Sequence, residues 1–143
     1  MPSVLIIDDE SAILDNLQFN LELYGFTVWK AHNGVEGIEL FQKNIDAVDA
    51  VITDMKMPGI TGLEVVKRIH ALQPDIGIIV LTGHGDMENA IASMREGAFN
   101  YLQKPFQMEN LVLSLQNAIQ KKNIMFENRK LQEDLIQKNR YLQ

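Results

Sequence analysis

Five polar residues punctuate the apolar segments of this chain at one kind of position. Asp8 and Asp9 follow the run Val4-Leu5-Ile6-Ile7, and Asp54 follows Ala50-Val51-Ile52-Thr53. Thr82 ends or follows Ile76-Gly77-Ile78-Ile79-Val80-Leu81, and Lys104 comes after Phe99-Asn100-Tyr101-Leu102. Three carboxylates brought into one crevice repel, and each raises the others' pKa unless something compensates. A hard divalent cation is the simplest remedy, and Mg²⁺ takes few carboxylates while keeping positions open for water and a phosphoryl group. Lysine adds a compact positive charge suited to a phosphate oxygen, and threonine a hydroxyl donor. Together these groups make a phosphoryl-transfer site that works by positioning and charge neutralisation. No Ser–His or Cys–His arrangement is evident, so the nucleophile at hand is a carboxylate, and the product an aspartyl phosphate. Taken singly, each residue has a plainer use: an Asp after a strand caps a helix, a Thr bonds backbone, a Lys is solvated. Their joint placement favours the site.

The elements that must position these residues are legible in the pattern. Five short apolar runs alternate with helical periodicity. The first, third and fourth are almost continuously apolar and β-branched, as strands buried on both faces of a parallel sheet are. Phe26-Thr27-Val28-Trp29 and Phe99-Asn100-Tyr101-Leu102 mix in polar groups and read as edge strands. Between them, Ser11 opens a helix with Ile13, Leu14, Leu17 and Leu21 on its apolar face, and Gly25 ends it. Asn33 with Glu36 starts the second helix, and Thr61-Gly62-Leu63-Glu64 forms a capping box for the third. Asp86 is a candidate N-cap for the fourth, which Gly97 stops. Strand followed by helix, five times over, describes an α/β domain with a parallel sheet and helices on both faces. In such a sheet every strand's C-terminal end lies on one edge, where ligands bind. That edge would carry all five polar residues.

Composition narrows the function classes. There is no cysteine, which removes disulfide frameworks, thiolate metal sites and cysteine nucleophiles. No apolar run approaches the roughly 18 residues of a membrane span. With Met1-Pro2-Ser3 leading straight into a strand, the expectation is a cytoplasmic protein without a signal peptide. Net charge is −6 but uneven: residues 1–118 hold 7 Lys/Arg against 16 Asp/Glu, and residues 119–143 hold 6 against 3. An acidic body is unsuited to phosphate-backbone contacts, so direct nucleic-acid binding is not expected. The three histidines, His32, His70 and His84, lack metal-ligand spacing, and His70 reads as a surface residue. Trp29 and the methionines fit core or helix-face packing.

Four fragments, in order, resemble the receiver domain of bacterial two-component response regulators. They are Leu5-Ile6-Ile7-Asp8-Asp9-Glu10, Asp54-Met55-Lys56-Met57-Pro58-Gly59 with Gly62 beyond it, Val80-Leu81-Thr82-Gly83-His84-Gly85, and Tyr101-Leu102-Gln103-Lys104-Pro105-Phe106. The wording Thr82-Gly83-His84-Gly85-Asp86 is most like receivers of NtrC-type regulators. The resemblance covers about Val4 to residue 120. It implies a doubly wound, flavodoxin-like sheet of order 2-1-3-4-5, with the crevice between strands one and three. It implies that Asp54 is the phosphoacceptor and a Mg²⁺ ligand, that Asp9 binds the metal directly and Asp8 through water, and that Lys56 offers only its backbone carbonyl. Thr82 would bond the phosphoryl group, Lys104 would pair with it, and Tyr101 would be the switch aromatic that turns inward as Thr82 moves. Gly83 would leave the site open to a donor, and Lys56 and His84 would tune phosphoryl lifetime. The Lys104–Pro105 peptide would be cis. The implied partner is a sensor histidine kinase. NtrC-type activators also carry ATPase and DNA-binding modules, but no P-loop pattern occurs in this sequence.

Residues 1–120 thus read as the receiver, and 121–143 as an extension of its last helix. From Gln107 on the chain reads as one helix, packed by Leu111, Leu115, Ala118 and Ile119. Beyond them Ile124, Leu131, Leu135 and Leu142 step by 7, 4 and 7, a coiled-coil seam with Asn128 and Lys138 at its polar positions. A helix this short is marginal alone in water, so the expectation is a homodimer through this helix or through the surface of the fourth helix, fifth strand and fifth helix, leading to an output module. Two other functions fit parts of the pattern. A Mg²⁺-dependent phosphatase with an aspartyl-phosphate intermediate would want a second acid two residues after its nucleophile, where this chain has Lys56. A phosphate-independent, receiver-like binding module would have no need of Asp9, Asp54, Thr82 and Lys104 together.

Overall fold

Alternation along three central strands builds two cores at once. The computed structural model describes residues 1–142, with side chains through 139. It places strands β1 (Ser3–Ile7), β2 (Thr27–Ala31), β3 (Ala50–Asp54), β4 (Gly77–Thr82) and β5 (Asn100–Gln103) in one parallel sheet of order β2-β1-β3-β4-β5. Helices α1 (Ser11–Leu23), α2 (Gly34–Lys43), α3 (Gly62–Leu72), α4 (Met87–Arg95) and α5 (Met108–Leu142) connect and follow them. Successive side chains of a strand point to opposite faces. Val4, Ile6, Ile52, Ile79 and Leu81 therefore pack under α1 and α5, while Leu5, Ile7, Val51, Ile78 and Val80 pack under α2 and α3. Every residue of β4 is buried, as its unbroken apolar run requires. β2 and β5 are the edges, which is why they tolerate Lys30, Asn100 and Gln103.

Several local expectations shift. β2, β4 and β5 each start one residue later than their apolar runs, because Phe26, Ile76 and Phe99 lead into the strands from loops below them. Asn33 caps α2 by accepting from Glu36 N–H at 2.8 Å, and Thr61 caps α3 by accepting from Glu64 N–H at 3.4 Å. Ser11 is the first helical residue of α1, with Glu10 in the capping position and no side-chain cap. Asp86 occupies the capping position of α4, yet its carboxylate does not cap; it is drawn instead to Lys56. His70 is not a surface side chain but half-buried, its ring lying over Gly97, whose φ of +119° and missing Cβ let it approach. Trp29 is half-buried against the α2/α3 core.

The inner stripe Leu111, Leu115 and Ala118 of α5 is buried as expected, and Ile119 is half-buried. Past the body, α5 continues as helix to Leu142 with Ile124, Leu131 and Leu135 exposed. The side chain of Leu142 lies outside the described residues.

Candidate functional site

The C-terminal edge of the sheet gathers the residues singled out by type. β1 ends at Ile7 and delivers Asp8 and Asp9, β3 ends on Asp54 itself, and β4 ends on Thr82. Asp8, Asp9 and Asp54 each bring a carboxylate oxygen within 4.8 Å of the others. Asp8 is almost fully buried, Asp54 half-buried and Asp9 exposed, so the cluster opens to solvent on the Asp9 side. Asp8 Oδ1 accepts from Glu10 N–H at 2.9 Å, while its Oδ2 is buried with no partner. Burial pushes the Asp8 carboxyl from 3.8 up to about 6, against the Glu10 hydrogen bond. The charges of Asp54 and Asp9 add to the rise, and Lys104 opposes it.

Asp54 is held from two sides. Its Oδ1 accepts from Met55 N–H at 3.0 Å and from Lys104 Nζ at 3.1 Å. Lys104 is itself fixed to the neighbouring strand end, because its N–H donates to Thr82 O at 2.8 Å. The Lys104–Pro105 peptide is cis. Thr82 is fully buried, and its Oγ1 has no hydrogen-bond partner. A buried, unpaired hydroxyl carries a cost of order 1–3 kcal/mol. Tyr101, paired in register with Val80, is half-buried against the α2/α3 core. The residues present thus fit a hard cation: oxygen donors only, one of them an orphaned buried oxygen, with a lysine alongside for an anionic group.

The loop after β3 is shaped by Gly62. Its N–H donates to Met55 O at 2.9 Å, and a Cβ there would run into the Asp54 carbonyl oxygen and Met55 Cα. Two contacts around the site have no counterpart in the sequence reading. Lys56 Nζ meets Asp86 Oδ1 at 3.3 Å, and Gln103 Nε2 meets His84 Nδ1 at 3.0 Å. Both join residues that the sequence separates widely, and Asp86 looks like an ordinary cap, so no linear pattern announces either.

Residues 4–116 match the family description "Response regulator receiver domain". The C4-dicarboxylate transport transcriptional regulatory protein DctD of Rhizobium meliloti (strain 1021) is 39% identical over 130 residues, covering 91% of this chain and 28% of that protein. The transcriptional regulatory protein FixJ of Bradyrhizobium diazoefficiens is 36% identical over 124 residues, 81% of this chain and 56% of that protein. The chain therefore spans about half or less of these two relatives. A crystal structure of a response regulator receiver domain protein from Clostridium thermocellum superposes with a TM-score of 0.86 at 44% identity, over 87% of this chain and 99% of the other. The family match over residues 4–116 takes in the strands and flanking helices that carry Asp8, Asp9, Asp54, Thr82 and Lys104, and with it the chain belongs to the response regulator receiver domain family of two-component systems.

Proposed function

We propose that the domain is a phosphorylation-controlled switch in which Asp54 accepts a phosphoryl group from a phosphohistidine of a sensor histidine kinase, in a Mg²⁺-dependent reaction. The observation that carries this reading is Asp54, hydrogen-bonded to Lys104 inside a carboxylate cluster that keeps one buried oxygen without a partner. Asp8, Asp9, Asp54 and the backbone carbonyl of Lys56 would hold Mg²⁺, Asp8 through water. When bound, the ion would offset the negative charge of the incoming phosphoryl oxygens. Asp54 attacks phosphorus, the P–N bond breaks, and the released imidazole takes a proton from solvent. Lys104 Nζ then moves from the carboxylate to a phosphoryl oxygen, and Thr82 Oγ1 gains an acceptor. Each is a shift of a group already beside Asp54 or on the neighbouring strand end, so the chain positions its own phosphorylation and slow dephosphorylation without turning over a separate substrate.

Satisfying Thr82 draws the β4–α4 loop toward Asp54 and frees space into which Tyr101 turns, biasing a two-state equilibrium of the α4/β5/α5 surface. That surface, or the seam of α5, pairs two copies and passes the change through residues 121–143 to an output module in transcription regulation. The setting is cytoplasmic. No described helix is long and apolar enough to cross a membrane. The phosphatase alternative is weakened by the placement of Lys56, whose side chain turns to Asp86. A purified histidine kinase bearing labelled phosphohistidine tests the proposal: label should pass to the wild type and not to Asp54→Asn. Equal labelling of both would overturn it. Sedimentation at several concentrations should show a dimer, and a strict monomer with and without a phosphoryl analogue would contradict the pairing.

A further inference from the structure

The inner stripe of α5 does not stop where the apolar core ends. Leu111, Leu115, Ala118, Lys122, Met125 and Arg129 step by 4, 3, 4, 3 and 4, so they share one helix face. The first three are buried and Met125 is half-buried, while Lys122 and Arg129 carry charge on the same line. Lys122 Nζ donates to Val48 O at 3.1 Å. Arg129 grips Asp75 with both terminal nitrogens, Nη2 donating to Oδ1 at 2.9 Å and Nη1 meeting Oδ2. Lys121, one position round the helix, lies 5.7 Å from the ring centre of Phe99. Val48 and Asp75 lie two residues before β3 and β4, and Phe99 immediately before β5, so these cations touch the approaches to three consecutive strands, on the sheet edge opposite the acid cluster.

The Asp75 side chain is only 7% exposed, and its two oxygens meet the fork of the guanidinium. Arg129 is half in water, and what sets this pair apart from an ordinary surface bridge is its bidentate geometry on a carboxylate that is nearly buried. Arg129 and Leu131 are two positions apart, about 200° around the helix at ~100° per residue. The face that grips the receiver therefore lies opposite the exposed line of Leu131 and Leu135.

We propose that Arg129 on Asp75, seconded by Lys122 on Val48 and Lys121 on Phe99, clamps the extension of α5 to the distal edge of its own sheet. The extension through residue 129 then moves as one body with the receiver, and its direction is set by the strand starts. Arg129, Lys122 and Asp75 are positioning residues with no part in the phosphoryl site. The apolar line at 131 and 135 is held pointing away from the receiver, while Ile124 borders a groove beside Tyr24 and Phe26. This proposal does not depend on phosphorylation of Asp54.

Hydrogen exchange on the full 143-residue chain tests it, in a Leu135→Glu background so that pairing of two copies supplies no protection. The clamp predicts slow exchange for residues 120–129 and fast exchange beyond 131. Arg129→Gln and Asp75→Asn should each speed exchange in 120–129 by about tenfold, as expected when a hydrogen-bonded ion pair holding a locally unfolding segment is lost. Protection in β1, β3 and β4 should stay unchanged. The charge exchange Asp75→Arg with Arg129→Asp should restore part of it. Should Asp75→Asn fail to fold, Arg129→Gln alone decides, since that side chain is half exposed. Equally fast exchange on both sides of residue 130 in the Leu135→Glu chain, or single variants indistinguishable from that background, would overturn the proposal.

Discussion

Lys56 Nζ stands 3.3 Å from Asp86 Oδ1, tying the loop after β3 to the loop after β4 directly beside Asp54 and Thr82. The lysine is largely in water while the carboxylate is nearly buried, so the pair is asymmetric. Its Coulombic contribution is that of a half-solvated bridge, about 0–1 kcal/mol. Lys56→Ala should lower the urea unfolding free energy by no more than about 1 kcal/mol, with a smaller loss at high salt. It should also change the half-life of the Asp54 phosphoryl group, because the β4–α4 loop loses a tether. An unchanged half-life would remove Lys56 from the set of tuning residues.

Thr82 offers a cleaner separation of roles. Its hydroxyl is buried without a partner, so Thr82→Ala removes no hydrogen bond in the unphosphorylated form. The variant should be neutral or up to about 1 kcal/mol more stable in denaturant titration. It should still accept phosphoryl on Asp54 but show a reduced change in dimer fraction on phosphorylation. A loss of more than about 2 kcal/mol would mean that the hydroxyl already has a partner in the resting form.

Asp8 makes a prediction in pH. Its carboxyl titrates near 6 when folded and 3.8 as the reference, so between those values the folded chain binds more protons than the unfolded one. Its contribution to metal-free stability is therefore present at low pH and lost as pH rises through about 6. Mg²⁺ needs the ionised form, so its affinity should strengthen over the same window. Thermal melts of wild type and Asp8→Asn should diverge in this way, with Mg²⁺ raising the wild-type midpoint at pH 7.5 far more than at pH 5. Parallel pH curves for the two chains would contradict the burial argument.

Gly62 ties the loop after Asp54 to helix α3. A Cβ at this position meets backbone, the Asp54 carbonyl and Met55 Cα, and backbone yields less readily than a side chain. Gly62→Ala should destabilise by about 1–3 kcal/mol, the usual cost of overpacking, and slow phosphorylation by displacing Asp54. Unfolding and labelling rates measured on one preparation would show both effects together.

Much of this was written in the linear pattern. The continuous, β-branched apolar runs of β1, β3 and β4 read as strands covered on both faces, and Asp8, Asp9, Asp54 and Thr82 stand out because each ends or follows such a run, while Lys104 follows the mixed edge run of β5. What the sequence hid was pairing across space. Asp86 carries the signature of a helix cap, but desolvation beside Lys56 decides where its carboxylate turns. Arg129 and Asp75 lie 54 residues apart and look like two solvated charges until α5 is laid across the sheet edge. His70 reads as polar and exposed on its helix, and only the glycine beneath its ring shows that it packs. Strand limits slipped by one residue because apolar residues just below a strand are as buried as those within it.

The central claim is that Asp54 is a Mg²⁺-dependent phosphoacceptor, and intact-protein mass spectrometry after exposure to acetyl phosphate or phosphoramidate tests it most directly. Wild type should gain a single phosphoryl group in the presence of Mg²⁺, and lose that gain with chelator or in Asp54→Asn. A phosphoryl adduct that persists in Asp54→Asn, or that forms equally well without Mg²⁺, would contradict the account.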